Sequence, residues 1–317
     1  MLESAEPDVA EAPETAVAAA VAESPPDAIV KKRRLPFGAW IAIGWVALVS
    51  AAALLAPWLP IKDPEGGTDV DYLNAGKGWF TNGHPFGVDD TGRDVFSRVI
   101  WGARYSLMIA IGAILVGFFV GGLLGLLAGY RRGRTDGVLS ASFNIILAFP
   151  PLLLALSLVA AFSPGTDDDP PTASKRIIVM IFAIGLVSIP ILARITRANT
   201  LTWSEREFVT AARAQGATSP SVMFKEVLPN VLPAMLSIAL LGIAIVLVTE
   251  GGLAIFGLSI PSPRPSWGNM ISQQIGTLDS SPHIWLAPAL FIFLTVLAFN
   301  YLGDVVRRMF DVRESVL

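Results

Sequence analysis

The chain has 317 residues, of which 53% are hydrophobic and only 15% charged, with no cysteine, two histidines and a formal net charge of −3. Soluble domains carry about 25% charged residues, so this composition excludes an ordinary soluble enzyme, and the missing cysteine excludes disulfides and thiolate metal sites. Seven of the 26 acids lie in residues 1–30, which hold no base, so the remainder carries 23 bases against 19 acids.

Residues 1–35 are Ala-, Glu- and Pro-rich and close on Lys31-Lys32-Arg33-Arg34. Such a segment cannot bury enough apolar surface to offset its ordering entropy, and it reads as a disordered acidic tail ending in a basic cluster. The cluster resembles a signal-peptide n-region. It lies too deep in the chain for that role, and the run after it is long enough to span, so an uncleaved first helix is expected.

A membrane-spanning helix needs about 20 mostly apolar residues. Six stretches qualify: Phe37–Pro60, Tyr105–Gly129, Val138–Phe162, Ile177–Ile195, Val231–Leu253 and Ile284–Val306. Residues 36–104 comprise the first span and a long outer loop, and 105–313 the other five spans. Pro57 and Pro60 close the first span, and Pro190 is expected to kink the fourth. Bases crowd one set of loops (Lys31–Arg34; Arg131, Arg132, Arg134; Arg194, Arg197, Arg206, Arg213, Lys225; Arg307, Arg308, Arg313), while the other set carries Asp167-Asp168-Asp169 with Lys175 and Arg176, the stretch 258–283 with only Arg264, and the loop 61–104 of mixed sign. Basic loops stay cytoplasmic, which places both termini inside and predicts a multi-pass protein of the plasma (inner) membrane. Trp40, Trp58, Trp101, Trp203, Trp267 and Trp285 fall near predicted helix ends, where indoles favour the headgroup zone.

The loop 198–230, between the fourth and fifth spans, is too long for a linker. Two short helices are expected in it. The first covers 201–215, with Ser204 as N-cap and Glu205 and Glu207 in the first turn, and Gly216 stops it. The second starts at Ser219-Pro220 and ends at Pro229. Thr210-Ala211-Ala212-Arg213-Ala214-Gln215-Gly216 presents small residues that let another backbone approach. On the residues alone, a packed interfacial hairpin and a docking surface remain equal alternatives.

The segment Glu207–Pro229 resembles the coupling loop of ABC importer permeases, whose pattern is Glu-Ala-Ala, three residues, Gly, nine residues, Ile-x-Leu-Pro. Ala211, Ala212, Gly216, Leu228 and Pro229 hold that spacing, whereas Thr210 stands where Glu is usual and Glu226 where Ile is usual. The resemblance implies an all-α type I importer permease: six transmembrane helices and a two-helix cytoplasmic coupling loop between the fourth and fifth. In that family the loop seats in a groove of a cytoplasmic ATPase, which makes Glu207, Phe208, Thr210, Ala211, Ala212, Arg213, Gly216, Leu228 and Pro229 the expected coupling residues. Charge reversal at Arg213, or bulk at Ala212, is then expected to uncouple transport.

Further segments resemble the dipeptide, oligopeptide and nickel branch, second-permease (OppC/DppC-like) type. They are His84-Pro-Phe-Gly-Val-Asp-Asp-Thr-Gly-Arg-Asp-Val-Phe-Ser-Arg98, Gly102-Ala-Arg-Tyr-Ser-Leu107, Leu147-Ala-Phe-Pro150, Glu250–Leu258 with Pro261–Met270, and Asn300-Tyr-Leu-Gly-Asp304. The resemblance implies import of di- or oligopeptides, with nickel or another small solute as the alternative. The implied partners are a second homologous permease forming a heterodimer, two cytoplasmic ATPases, an extracytoplasmic substrate-binding protein and membrane lipid, but no nucleic acid. Residues 64–80 are a candidate docking stretch for the binding protein.

Rival chemistries fit poorly. Asp90-Thr91-Gly92 is the tripeptide of aspartic proteases, but there is no second copy to share a proton. No Gly-x-x-x-x-Gly-Lys-Ser/Thr phosphate loop occurs, so the chain is expected to be non-catalytic and to need no cofactor, ATP and Mg being held by the partner ATPases. No metal site is expected. Asp89, Asp90 and Asp94 suit a cation or a capped outer turn, the turn being the expectation. An ion-coupled secondary transporter would need ionisable groups at span centres, and these are almost free of charge. Substrate residues stay unassigned. Glu250 and Asp304 lie near span ends, and Asn144 and Asn300 are candidates for bonds between helices.

Overall fold

The computed structural model describes residues 35–165, 169–276 and 278–314, with side chains as far as 309. The predicted acidic tail and Asp167-Asp168 lie outside the described residues. Regular structure among the described residues is helical. Helix α1 is Phe37–Leu55, α2 Val95–Val116, α3 Gly122–Arg131, α4 Gly133–Leu147, α5 Pro151–Phe162, α6 Ala173–Ser204, α7 Glu207–Ala214, α8 Ser219–Val222, α9 Leu228–Ile255, α10 Trp267–Ser272 and α11 Pro282–Glu314.

Five helical stretches are long and apolar enough to cross a membrane: Phe37–Leu55, Val95–Arg131, Ala173–Ser204, Ser219–Ile255 and Pro282–Met309. The expected third span is not one straight helix. Helices α4 and α5 meet at an 83° bend, and only as a broken pair do they make a sixth span. The cause is Pro150-Pro151. Proline has no N–H to continue the ladder and forces the residue before it out of the helical region, and Pro150 itself is extended at φ −56°, ψ 126°. Pro190, by contrast, sits inside an unbroken α6.

Helix α6 is the hub. Two thirds of its apolar window (67%) is buried, against 22% for α1 at the edge. The main core gathers Ala110 and Ile114 of α2, Val159 of α5, Met180 and Ile184 of α6, Leu247 of α9 and Phe299 of α11. Large apolar side chains such as Leu48, Phe119, Phe182, Ile245 and Phe293 remain exposed on the outside, the surface a helix presents to hydrocarbon.

Helix α3 and the π-turn Gly117–Gly121 ahead of it reach α6 through a stripe of glycines. A Cβ on Gly121 would lie 2.5 Å from the Ile189 carbonyl oxygen, on Gly125 2.3 Å from that of Ala193, and on Gly129 2.7 Å from that of Arg197. Any side chain there would push the helices apart, so the spacing of four is what permits backbone contact.

Candidate functional site

The Arg-rich end carries the α7–α8 hairpin. Helix α6 continues through Ser204, whose hydroxyl donates to the Leu201 carbonyl at 3.0 Å, so Ser204 does not cap the next helix as expected. Glu205 closes α6, Arg206 is extended at φ −69°, ψ 151°, and α7 starts at Glu207 without a side-chain cap. Gly216 ends α7 at φ +87°, a conformation that glycine adopts at no steric cost. Pro220 sits in the first turn of α8.

Pro229 does not end the second piece. The helix runs on from Ser219 to Ile255, because a π-turn at Met223–Val227 widens the backbone just ahead of the proline ring. Leu228 and Pro229 therefore open α9, Leu228 half-buried and Pro229 exposed.

The hairpin has two faces. Underneath, Val209, Val222, Val227 and Val231 are fully buried with Leu126 of α3 and Trp203 of α6, and Ala212 and Leu228 pack against them. Full burial of one such side chain is worth about 1.5–3 kcal/mol, enough to hold the hairpin to the spans. Outside, Glu207, Phe208, Thr210, Ala211, Arg213, Ala214 and residues 215–220 are exposed. Of the expected coupling residues, Glu207, Phe208, Thr210, Ala211, Arg213 and Gly216 thus lie together on an open surface, with Ala212 half-buried at its edge. Leu228 belongs to the apolar underside. The Arg213 guanidinium lies 5.4 Å over the Tyr130 ring and that of Arg206 5.5 Å over Trp203, while the Phe208 and Trp203 ring centres are 6.2 Å apart. Ion pairs tie α4 to α6 beside it. Asp136 accepts two hydrogen bonds from Arg197, and Arg132 meets Glu205 at 2.8 Å.

The opposite end is built from the other motif segments, which lie far apart in sequence and converge in space. Glu250 of α9, 1% exposed, accepts hydrogen bonds from Ser259 and Ser266 at 2.7 Å each and from Ser106 of α2 at 3.3 Å. Ser266 caps α10 in a reciprocal box with Asn269. Trp267 is fully buried, its indole donating to the Val99 carbonyl at 2.9 Å, so it serves packing and not a membrane border. Asp94 caps α2 by accepting from the Ser97 N–H at 2.7 Å and meets His84 at 2.8 Å. Asp89 accepts from the Thr91 and Arg93 N–H groups at 2.9 Å each and faces Arg98 at 3.5 Å. These carboxylates form a capped turn at this end. Outside the spans, Asp71 is held below the usual carboxylate range by the Asn74 amide that donates to it.

Asn144 does bond across helices, accepting from Arg194 at 2.5 Å, whereas Asn300 only donates back to Val296 one turn earlier. Asp304 is exposed. Sequence reasoning missed the valines under the hairpin and the Gly117-Gly121-Gly125-Gly129 stripe. The first is visible as buried-type residues bracketing a polar loop, the second as a repeat of four.

A family profile described as "Binding-protein-dependent transport system inner membrane component" matches residues 121–316. The chain belongs to this family. It is 36% identical over 267 residues to the glutathione transport system permease protein GsiD of Pectobacterium atrosepticum, covering 84% of each chain. It is 33% identical over 271 residues to the dipeptide transport system permease protein DppC of Alkalihalophilus pseudofirmus, covering 86% of this chain and 85% of that one. Among solved structures, an inward-facing MetNI methionine ABC transporter matches with a TM-score of 0.55 at 18% identity, covering 67% of this chain and 96% of that one. That likeness shows the fold, an all-helical bundle.

Proposed function

We propose that this chain is the non-catalytic transmembrane half of an ATP-driven importer of small peptides, and that the α7–α8 hairpin is where a cytoplasmic ATPase grips it. The observation that carries the reading is the two-faced hairpin. An apolar underside bonds it to α3, α6 and α9, while a face of small and polar residues stands open, so force applied there reaches three spans at once. The relatives, permeases for dipeptides and for the tripeptide glutathione, support peptide as the cargo class.

In this reading the Arg-rich end and both termini are cytoplasmic, following the loop charges. A second homologous permease completes the pathway as a heterodimer, an extracytoplasmic binding protein delivers the peptide, and two ATPases hold ATP and Mg. The chain itself uses no cofactor. Contact to the motor falls to Glu207, Phe208, Thr210, Ala211, Arg213 and Gly216. Leu228, Pro229 and Ala212 back them from the α9 side and the underside. Thr210 replaces the carboxylate of the family pattern, so Glu207 and Arg213 supply the charged contacts.

The test is ATP-dependent uptake of a labelled dipeptide by the full transporter in proteoliposomes. Arg213→Glu and Ala211→Trp both sit on the open face. Each is expected to abolish uptake and its stimulation of ATP hydrolysis while leaving membrane abundance unchanged. Normal uptake in both variants would remove the docking role. Uptake that persists without ATP and follows a proton gradient would replace the importer with a secondary transporter.

A further inference from the structure

At the end of the molecule opposite the hairpin, a cavity of about 610 Å³ opens between the start of α6 and the stretch that joins α9 to α10. Arg176 lines it, along with Ser259, Ser262, Asn269 and Gln273. Arg176 is only 4% exposed, yet its Nε and Nη1 have no hydrogen-bond partner. None of the ion pairs among the described residues includes it. A guanidinium keeps its charge throughout the physiological range, and a buried, unpaired cation is costly unless an anion completes it. The contrast with Arg98 is direct. Arg98 is just as buried, but it donates to the Pro64 and Pro263 carbonyls and faces Asp89.

The rest of the lining sets the kind of anion. Asn269 spends its amide on the Ile260 and Arg264 carbonyls and the Ser266 N–H, and Ser259 is committed to Glu250. Ser262 and Gln273 are exposed at the rim. They offer neutral donors and acceptors beside one fixed positive charge. The volume is within the range of about 300–1,000 Å³ typical of small-molecule sites, and the neutral polar rim suits a soluble molecule better than an acyl chain. We infer that this cavity is an entry subsite in which Arg176 pairs with the free carboxylate of the incoming peptide. The inference rests on the peptide-import reading above. Because the start of α6 carries the partial positive charge of a helix N-terminus, the same end of α6 that supplies Arg176 adds to the field on that carboxylate.

The experiment titrates the purified transporter complex, without its binding protein, with Ala-Ala and with Ala-Ala amide, followed by saturation-transfer NMR. ATP-driven uptake of Ala-Ala is measured in parallel. Charge-assisted hydrogen bonds are worth enough that wild type is expected to bind the acid about tenfold or more tighter than the amide. Arg176→Gln is expected to erase that preference, and Arg176→Lys to retain part of it. Amide binding serves as the control for folding, since it is expected to be equal in all three proteins. Equal binding of acid and amide by wild type, or an acid preference that survives Arg176→Gln, overturns the subsite while leaving peptide import standing. Wild type that binds Ala-Ala but never imports it overturns the import reading and, with it, the role of the site in entry. An Arg176→Gln effect that tracks the anionic-lipid content of the membrane, and not the peptide terminus, assigns the cation to a lipid phosphate and overturns the proposal. So does an acid preference that appears only after Asp167→Asn/Asp168→Asn, which would mean that the loop's own carboxylates fill the cavity.

Discussion

The two ends of this molecule are held together by different physics. The hairpin end is fastened by an apolar cluster around Val209, Val222 and Val227, and keeps its polar groups outside. The opposite end has an apolar cluster of its own, with Val95, Val99, Met270 and Ile284, and adds buried polar groups to it: Glu250 with three serines, Asp89 with Arg93 and Arg98, and His84 with Asp94. Apolar contacts are non-directional and tolerate small shifts, whereas a buried hydrogen-bonded network has one good geometry and a high penalty for leaving it. On the proposed function, a hairpin that is gripped and moved suits the first kind of fastening. A rim that must keep its shape while spans move beneath it suits the second.

The comparison can be broken most forcefully at Glu250. Glu250→Ala removes the acceptor shared by the hydroxyls of Ser106, Ser259 and Ser266 and leaves a buried cavity, and is expected to cost about 3 kcal/mol or more, read as a large drop in the thermal midpoint of the detergent-solubilised protein. A loss no greater than that of an exposed substitution would mean that the network is incidental. Next in size is Gly125→Val. A side chain 2.3 Å from the Ala193 oxygen forces α3 off α6, at a cost of about 1–3 kcal/mol for overpacking, checked by the same melting curve.

At the hairpin, Val222→Ala is expected to cost about 1–3 kcal/mol through lost burial and a residual cavity. Thr210→Ser, on the open face, should stay within about 0.5 kcal/mol. Equal effects of the two would mean that the hairpin does not have distinct faces. The smallest effect belongs to Asp71. Its folded-state pKa is depressed, so its contribution is present above the ordinary carboxylate value of 3.8 and is lost as pH falls below it. Asn74→Ala removes the largest cause of the shift. Asp71 should then titrate closer to 3.8 in a carboxyl-detected NMR titration, and hydrogen exchange in residues 69–77 should lose part of its acid dependence.

Much of the architecture was legible because membrane spans announce themselves by length and apolarity. What was hidden has identifiable causes. Helix α2 begins at Val95, capped by Asp94, and not near Tyr105; Arg98 and Arg104 lower the hydropathy of its first turns and so hide them from a reading by apolarity. Arg98 is nevertheless buried, its charge met by carbonyls from residues 34 and 165 positions away in sequence. The break at Pro150-Pro151 was written in the sequence, but an apolar run on both sides outweighed it in a reading by hydropathy. Glu250 was legible only as a carboxylate near a span end, because Ser106, 144 positions away, comes near only in the fold. On the hairpin, spacing located the turn at Gly216 but not the two faces, since Leu228 keeps the family spacing while pointing into the packed side. Arg176 carried no sequence signal at all: whether an arginine has a partner depends on contacts that only three dimensions supply.

The π-turn at Met223–Val227 joins the hairpin to α9. Each residue of an α-helix advances the side-chain direction by about 100°, so one extra residue in a turn resets the azimuth of everything after it. The turn acts as a phase shifter: below it the chain is aligned to its seat on α3 and α6, above it to α2 and α11. A protein that lost one residue here would keep both helices and both apolar faces, yet would present them to the wrong neighbours.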